Sequence, residues 1–195
     1  MPLGAFKAAL MGTAGVSTAD VVLLSTQTAS DSATISFTSG IDSTYGEYIF
    51  KYYNINPATD EGQFTFQVNA SSQSGYNETI TSTAFRAYHA EDDGSNQLAY
   101  QSEHDQAQGT AFQNLGMNLG NGGDESCAGE LHLFNPSSTT YVTNFYGRGN
   151  QYWGNNKSGE LYVAGYINVT AAITDIQFKM SSGNFDGKIK MWGVK

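Results

Sequence analysis

The sequence predicts an all-β chain, an antiparallel β-sandwich of jelly-roll-like kind preceded by a short N-terminal arm or helix. Three observations carry this. Apolar and polar residues alternate at period two in segment after segment. Stretches rich in Gly, Asn, Ser and Asp separate those segments and supply the backbone freedom that chain reversals need. Past the arm, no window of about twelve residues holds a helical stripe. A sheet buried on one face writes this pattern, and two such sheets must bury their apolar faces together. With 195 residues the chain is long enough for one full core. The expected organisation is an apolar docking arm over residues 1–19 and a single sandwich domain over 20–195.

The opening, MPLGAFKAALMGTAGVSTADVVLLS, has an apolar run broken by Gly4, Gly12, Thr13 and Gly15. A secretory signal wants a continuous apolar core, so a signal peptide is not expected, and no run approaches the length of a membrane span. Only Lys7, Asp20 and Asp31 carry charge before Asp42. Residues 1–15 therefore read either as an arm that docks on something apolar through Leu3, Phe6, Leu10 and Met11, or as the packed first turn of the same domain.

The elements follow in order. Residues 34–37 alternate. EYIFKYYNIN, 47–56, puts Tyr48, Phe50 and Tyr52 on one face and Ile49, Lys51 and Tyr53 on the other. QFTFQVN, 63–69, sends Phe64, Phe66 and Val68 inward. Phe85, Ala87 and His89 continue the pattern with Arg86 and Tyr88 opposite, and Leu131 and Leu133 alternate with His132 and Phe134. The longest run is Leu161, Val163, Gly165, Ile167 and Val169. The segment AAITDIQFKMSSGNFDGKIKMWGVK reads as a hairpin: Ile173, Ile176, Phe178 and Met180 form one arm, Ile189, Met191 and Gly193 the other, and SSGNFDG the reversal. The final strand is expected inside a sheet. The middle, 90–128, is polar and glycine-rich, and contact surfaces are expected on its loops and around 141–157.

Composition excludes some partners. The net charge of -9, with nine Lys and Arg spread thinly, does not suit a nucleic-acid backbone or an anionic membrane. Charged residues are 14% of the chain, against roughly 25% in an average soluble domain. Such a surface must be covered by neutral polar residues or by neighbouring subunits.

Chemical motifs are sparse. The elbow GxSxG is absent, and Cys127 with His132 is the one nearby nucleophile–base pair, at a spacing that carries no information. His89, His104 and His132 lack a chelating spacing, and the acidic stretch AEDDGSN, 90–96, lacks the spacing of a calcium loop. No catalytic residue, cofactor or metal site is expected. The aromatic cluster YVTNFYGRGNQYW, 141–153, stands out. Tyr146, Arg148, Tyr152 and Trp153 fit three roles: core packing, a subunit interface, or a platform on which a sugar ring stacks.

The opening MPLGAFKAALMGTAG, the segment ISFTSGIDSTYGEYIFKYYNINPATDEGQFTFQVN and the ending GYINVTAAITDIQFKMSSGNFDGKIKMWGVK resemble small β-sandwich virion proteins of tailed bacteriophages. The resemblance covers about the first seventy residues and the last thirty-five. It implies a non-enzymatic structural protein on the virion exterior, decorating or cementing the head or forming a neck or tail attachment. The partners it implies are further copies of the chain, most simply a trimer, and other virion proteins. The alternative is a receptor- or glycan-binding module of a fibre, with host surface glycan as partner.

Overall fold

The structure, a computed structural model, describes residues 20–195. These form thirteen strands: β1 (Val21–Ser32), β2 (Ile35–Phe37), β3 (Glu47–Pro57), β4 (Phe64–Ala70), β5 (Ile80–Ala90), β6 (Asn96–Tyr100), β7 (Ala107–Gly109), β8 (Gln113–Asn114), β9 (Cys127–Phe134), β10 (Thr143–Trp153), β11 (Lys157–Ile167), β12 (Ile173–Met180) and β13 (Phe185–Val194). No helix occurs among the described residues. The arm contacts expected at Leu3, Phe6, Leu10 and Met11 lie outside the described residues.

Every pairing is antiparallel. The larger sheet runs β1-β13-β3-β9-β10-β11-β5-β6, with β7 sharing the edge of β5, and the smaller runs β2-β12-β4-β8. The first four ranks of the two sheets correspond: β1 with β2, β13 with β12, β3 with β4, β9 with β8. Each of these four chain-consecutive pairs is thus divided between the sheets.

That winding corrects the expected closing hairpin. β12 pairs with β2 and β4 in the smaller sheet, whereas β13 lies between β1 and β3 in the larger. The four residues between them cross from one sheet to the other, with Gly183 at φ +71° and Thr59 Oγ1 where a Cβ would stand. Period-two alternation fixes which face of a strand is buried and is silent about its neighbour. The expectation that the last strand lies inside a sheet is met.

The core between the sheets is aromatic. Phe64 stacks on Phe178 at 5.8 Å, Phe50 and Phe37 pack edge-on at 5.5 Å, and Phe185 and Tyr52 close around Phe64. These rings come from both sheets and from strands far apart in sequence, so the core forms only when the whole winding is in place.

Two further corrections concern local readings. The region 141–157 is no loop: β10 and β11 form a regular hairpin in register from Thr143↔Ile167 to Trp153↔Lys157. β10 alternates buried and outward residues along its full length. Its glycines face inward and make room for bulk from other strands. A Cβ at Gly149 would lie 2.6 Å from the Tyr52 hydroxyl, and one at Gly147 would lie 2.7 Å from a Leu115 methyl. Phe85 points outward rather than continuing the inward pattern, and Arg86 and Tyr88 point toward Trp153.

The two outer faces differ. On the smaller sheet, β4 is buried on both sides. Gln67 Nε2 donates to the carbonyls of Glu78 and Ala111 at 2.9 and 3.1 Å, and Asn69 Oδ1 accepts from Tyr76 N at 2.8 Å, so the segments around 76–78 and 110–111 cover that face. Among the described residues, the outer face of the larger sheet keeps exposed side chains, Leu23, Phe134, Tyr146 and Phe85 among them.

Candidate functional site

Residues in register on antiparallel strands stand side by side on one face, so the open face is organised in rows across the strands. One row reads Trp192, Ile49, His132, Tyr146, Ala164 and Thr83, and Leu23 extends it onto β1. The adjacent row, two residues along, reads Lys51, Glu130, Arg148, Tyr162, Phe85 and Tyr100.

Rings stack within each row. His132 lies against Tyr146 with centroids 4.4 Å apart and planes 16° apart, and Phe85 against Tyr162 at 4.7 Å and 7°. The Arg148 guanidinium takes the other side of Tyr162, 5.0 Å from its centroid. These contacts hold the rings upright on the sheet.

Polar side chains pair within and between these rows. Arg148 Nε donates to Glu160, Lys51 Nζ lies 3.7 Å from Glu130, and His132 Nδ1 donates to Glu47 Oε1 at 2.5 Å with Glu130 Oε1 3.4 Å from Nε2. The exposed Lys51–Glu130 and Arg148–Glu160 pairs contribute little stability, so their main effect is to orient side chains. Burial raises the Tyr146 phenol above its usual pKa, with Glu130 and Glu47 adding to the effect, and Tyr162 is raised by burial and by Glu160. Both phenols therefore remain protonated donors at neutral pH.

A shallow recess of ≈ 350 Å³ sits where the rows meet, lined by Tyr146, Ala164, Thr83, Phe85, Tyr162, Arg148 and Glu130 over Gly147 and Val163. Tyr146 has one face on His132 and, on the β11 side, only the methyl of Ala164 beside it in register.

The structure divides the four residues singled out in the aromatic cluster. Tyr146, Arg148 and Tyr152 share the outer face of β10. Tyr152 stands six residues from Tyr146, about 20 Å at the usual strand rise, so the two do not form one platform. Its hydroxyl donates to Asn156 Oδ1 at 3.1 Å, and Glu91 raises its pKa. Trp153 faces inward and is 3% exposed, packed with Met117, Leu161, Ala84 and Tyr88. A Cβ at Gly159 would clash with its indole, 2.0 Å from Nε1. A stacking role for Trp153 is therefore corrected to a packing role.

Phe85, Tyr162, His132 and Glu130 were not legible as site residues from the sequence. Each sits at an outward position of an alternating strand, and only the register brings them together. Cys127 and His132 fall on opposite faces of β9, with the Cys127 thiol buried and its pKa pushed far up by desolvation. In the 90–96 turn, Asp92 Oδ1 accepts from Gly94 N at 2.9 Å, which spends that carboxylate on the reversal itself. No group of three or more metal-ligating side chains gathers among the described residues. No protein-family model matches the chain, and no curated protein matches it.

Proposed function

We propose that this protein is a non-enzymatic structural protein of a tailed-bacteriophage virion, displayed on the particle exterior as a homo-oligomer. The observation that carries the reading is the apolar part of the open face. Val21, Leu23, Trp192, Ile49 and Phe134 sit on β1, β13, β3 and β9, with Val21 and Leu23 on the edge strand both outward and exposed. Large contiguous apolar patches rimmed by polar residues mark interaction surfaces, and Trp and other aromatics are enriched in them.

The winding supports the same reading. A larger sheet β1-β13-β3-β9 over a smaller β2-β12-β4-β8 is the order expected of a jelly roll, a sandwich that recurs in viral capsid and lectin domains. The test is gold-labelled antibody imaging of purified particles. Label over head, neck or tail supports the reading and places the protein, whereas unlabelled particles overturn it. A second reading, adhesion to host surface glycan, is favoured by the Tyr146 ring face beside Ala164.

A further inference from the structure

We propose that the recess between Tyr146 and the Phe85–Tyr162 stack is a binding site for one neutral pyranose ring of a surface glycan; this rests on the adhesion reading and names its ligand class and residues. The inference starts from the Tyr146 ring. His132 covers one face at 4.4 Å and is itself held by Glu47, so the ring is fixed before any ligand arrives. Next in register come Ala164 and then Thr83, the two smallest outward side chains of that row, where β10 and β9 carry Tyr146 and His132. The row thus breaks off at a ring face and leaves a gap about two strands wide, near 10 Å at the usual strand spacing.

A pyranose suits that gap. One face of such a ring presents weakly positive C–H groups, which the negative face of an aromatic attracts, and burying it against Tyr146 removes apolar surface from water. The rim of the ring carries hydroxyls, which both donate and accept. Glu130 and Arg148 line the same recess, one an acceptor and the other a donor, and both are oriented by partners on neighbouring strands. A volume of ≈ 350 Å³ falls at the lower end of small-ligand sites, which suits a single ring better than a long chain.

Charge selects the neutral class. Arg148, which lines the recess, is engaged by Glu160, and Lys51, on the far side of Glu130, is engaged by that carboxylate, so both nearby cations are already matched. A carboxylated or phosphorylated sugar would meet Glu130 without an uncommitted cation to offset it.

The experiment titrates the 195-residue chain with methyl glucoside, galactoside and mannoside, and with methyl glucuronide as the acidic counterpart, by ligand-observed NMR. Adhesion to host cells is scored in parallel. Expected are saturable binding of at least one neutral glycoside, weakening of about tenfold or more in Tyr146→Ala, and loss in Ala164→Phe, whose added ring fills the gap. Ala164 is exposed, so its variant tests occupancy of the recess with the fold intact, as circular dichroism verifies. Tyr141→Ala, at an exposed tyrosine outside the recess, should bind as the parent does. Cell adhesion with neutral-glycoside binding unchanged in both recess variants, or with glucuronide preferred, overturns the site and leaves the adhesion reading standing. Absence of both cell adhesion and glycoside binding overturns the two together.

Discussion

Single residues set the limits of what this sandwich tolerates. Trp153→Ala removes an indole buried among Met117, Leu161 and Tyr88 and should cost about 3–5 kcal/mol, read as a fall in the urea midpoint. An unchanged midpoint would mean that the ring is not packed as described. Gly149→Ala places a methyl against the Tyr52 hydroxyl and should cost about 1–3 kcal/mol, and Tyr52→Phe in the same chain should recover part of that. Buried His104 carries a pH dependence. Asn114 Nδ2 donates to its Nδ1 at 2.5 Å, so the ring must be neutral to accept, and burial lowers its pKa from 6.5. The unfolded chain thus takes up this proton at a higher pH than the folded one. The contribution is fully present above pH 6.5 and is lost progressively as pH falls from there through the lowered folded value. Thermal unfolding of parent and His104→Asn between pH 5 and 8 checks this: the parent should lose more stability toward pH 5 than the variant does.

Among the elements, the decisive one is the crossing from β12 to β13. A hairpin and an arch share the alternation of apolar residues and differ in which strands touch. Thr26 and Lys190 are in register across β1 and β13, so Thr26→Cys with Lys190→Cys should oxidise to an intrachain disulfide visible by mass spectrometry. Buried Cys127, its thiol kept protonated, should stay out of that reaction. A β12–β13 hairpin would remove β13 from its place between β1 and β3 and give no such crosslink. The crossing also depends on Gly183. At φ +71° an alanine costs about 1–2 kcal/mol, and its methyl would compete with the Thr59 hydroxyl.

For the molecule as a whole, the two outer faces divide the labour. The smaller sheet is roofed over by its own connections, with Gln67 and Asn69 bonded to them, and among the described residues the larger sheet keeps exposed side chains on its outer face. Its rows grade from apolar at β1 and β13 to charge-paired and aromatic at β10, β11 and β5. The proposed subunit contact and the proposed glycan contact therefore fall on different residues. Leu23 is exposed on the edge strand, so Leu23→Asp should leave the thermal midpoint nearly unchanged while light scattering shows the oligomer falling toward monomer. A parent that is monomeric at all concentrations tested would remove the apolar patch as a self-contact.

The sequence by itself determined the all-β class, the two faces of β3, the buried faces of β4, β9, β12 and β13, and the polar character of the reversals, because side-chain direction in a strand follows from position alone. The tertiary structure decided what depends on neighbours. Gly147 and Gly149 resemble loop glycines in sequence and prove to be inward positions that receive Leu115 and Tyr52 from distant strands. Trp153 and Tyr152 are adjacent in the chain and end on opposite faces. Tyr146, Phe85 and Glu130 are scattered along the chain and meet at one recess because β9, β10, β11 and β5 pair in a fixed register. Alternation is a local property carried by each strand, whereas strand order and register arise when the two sheets close over a shared core, and the site exists only at that level.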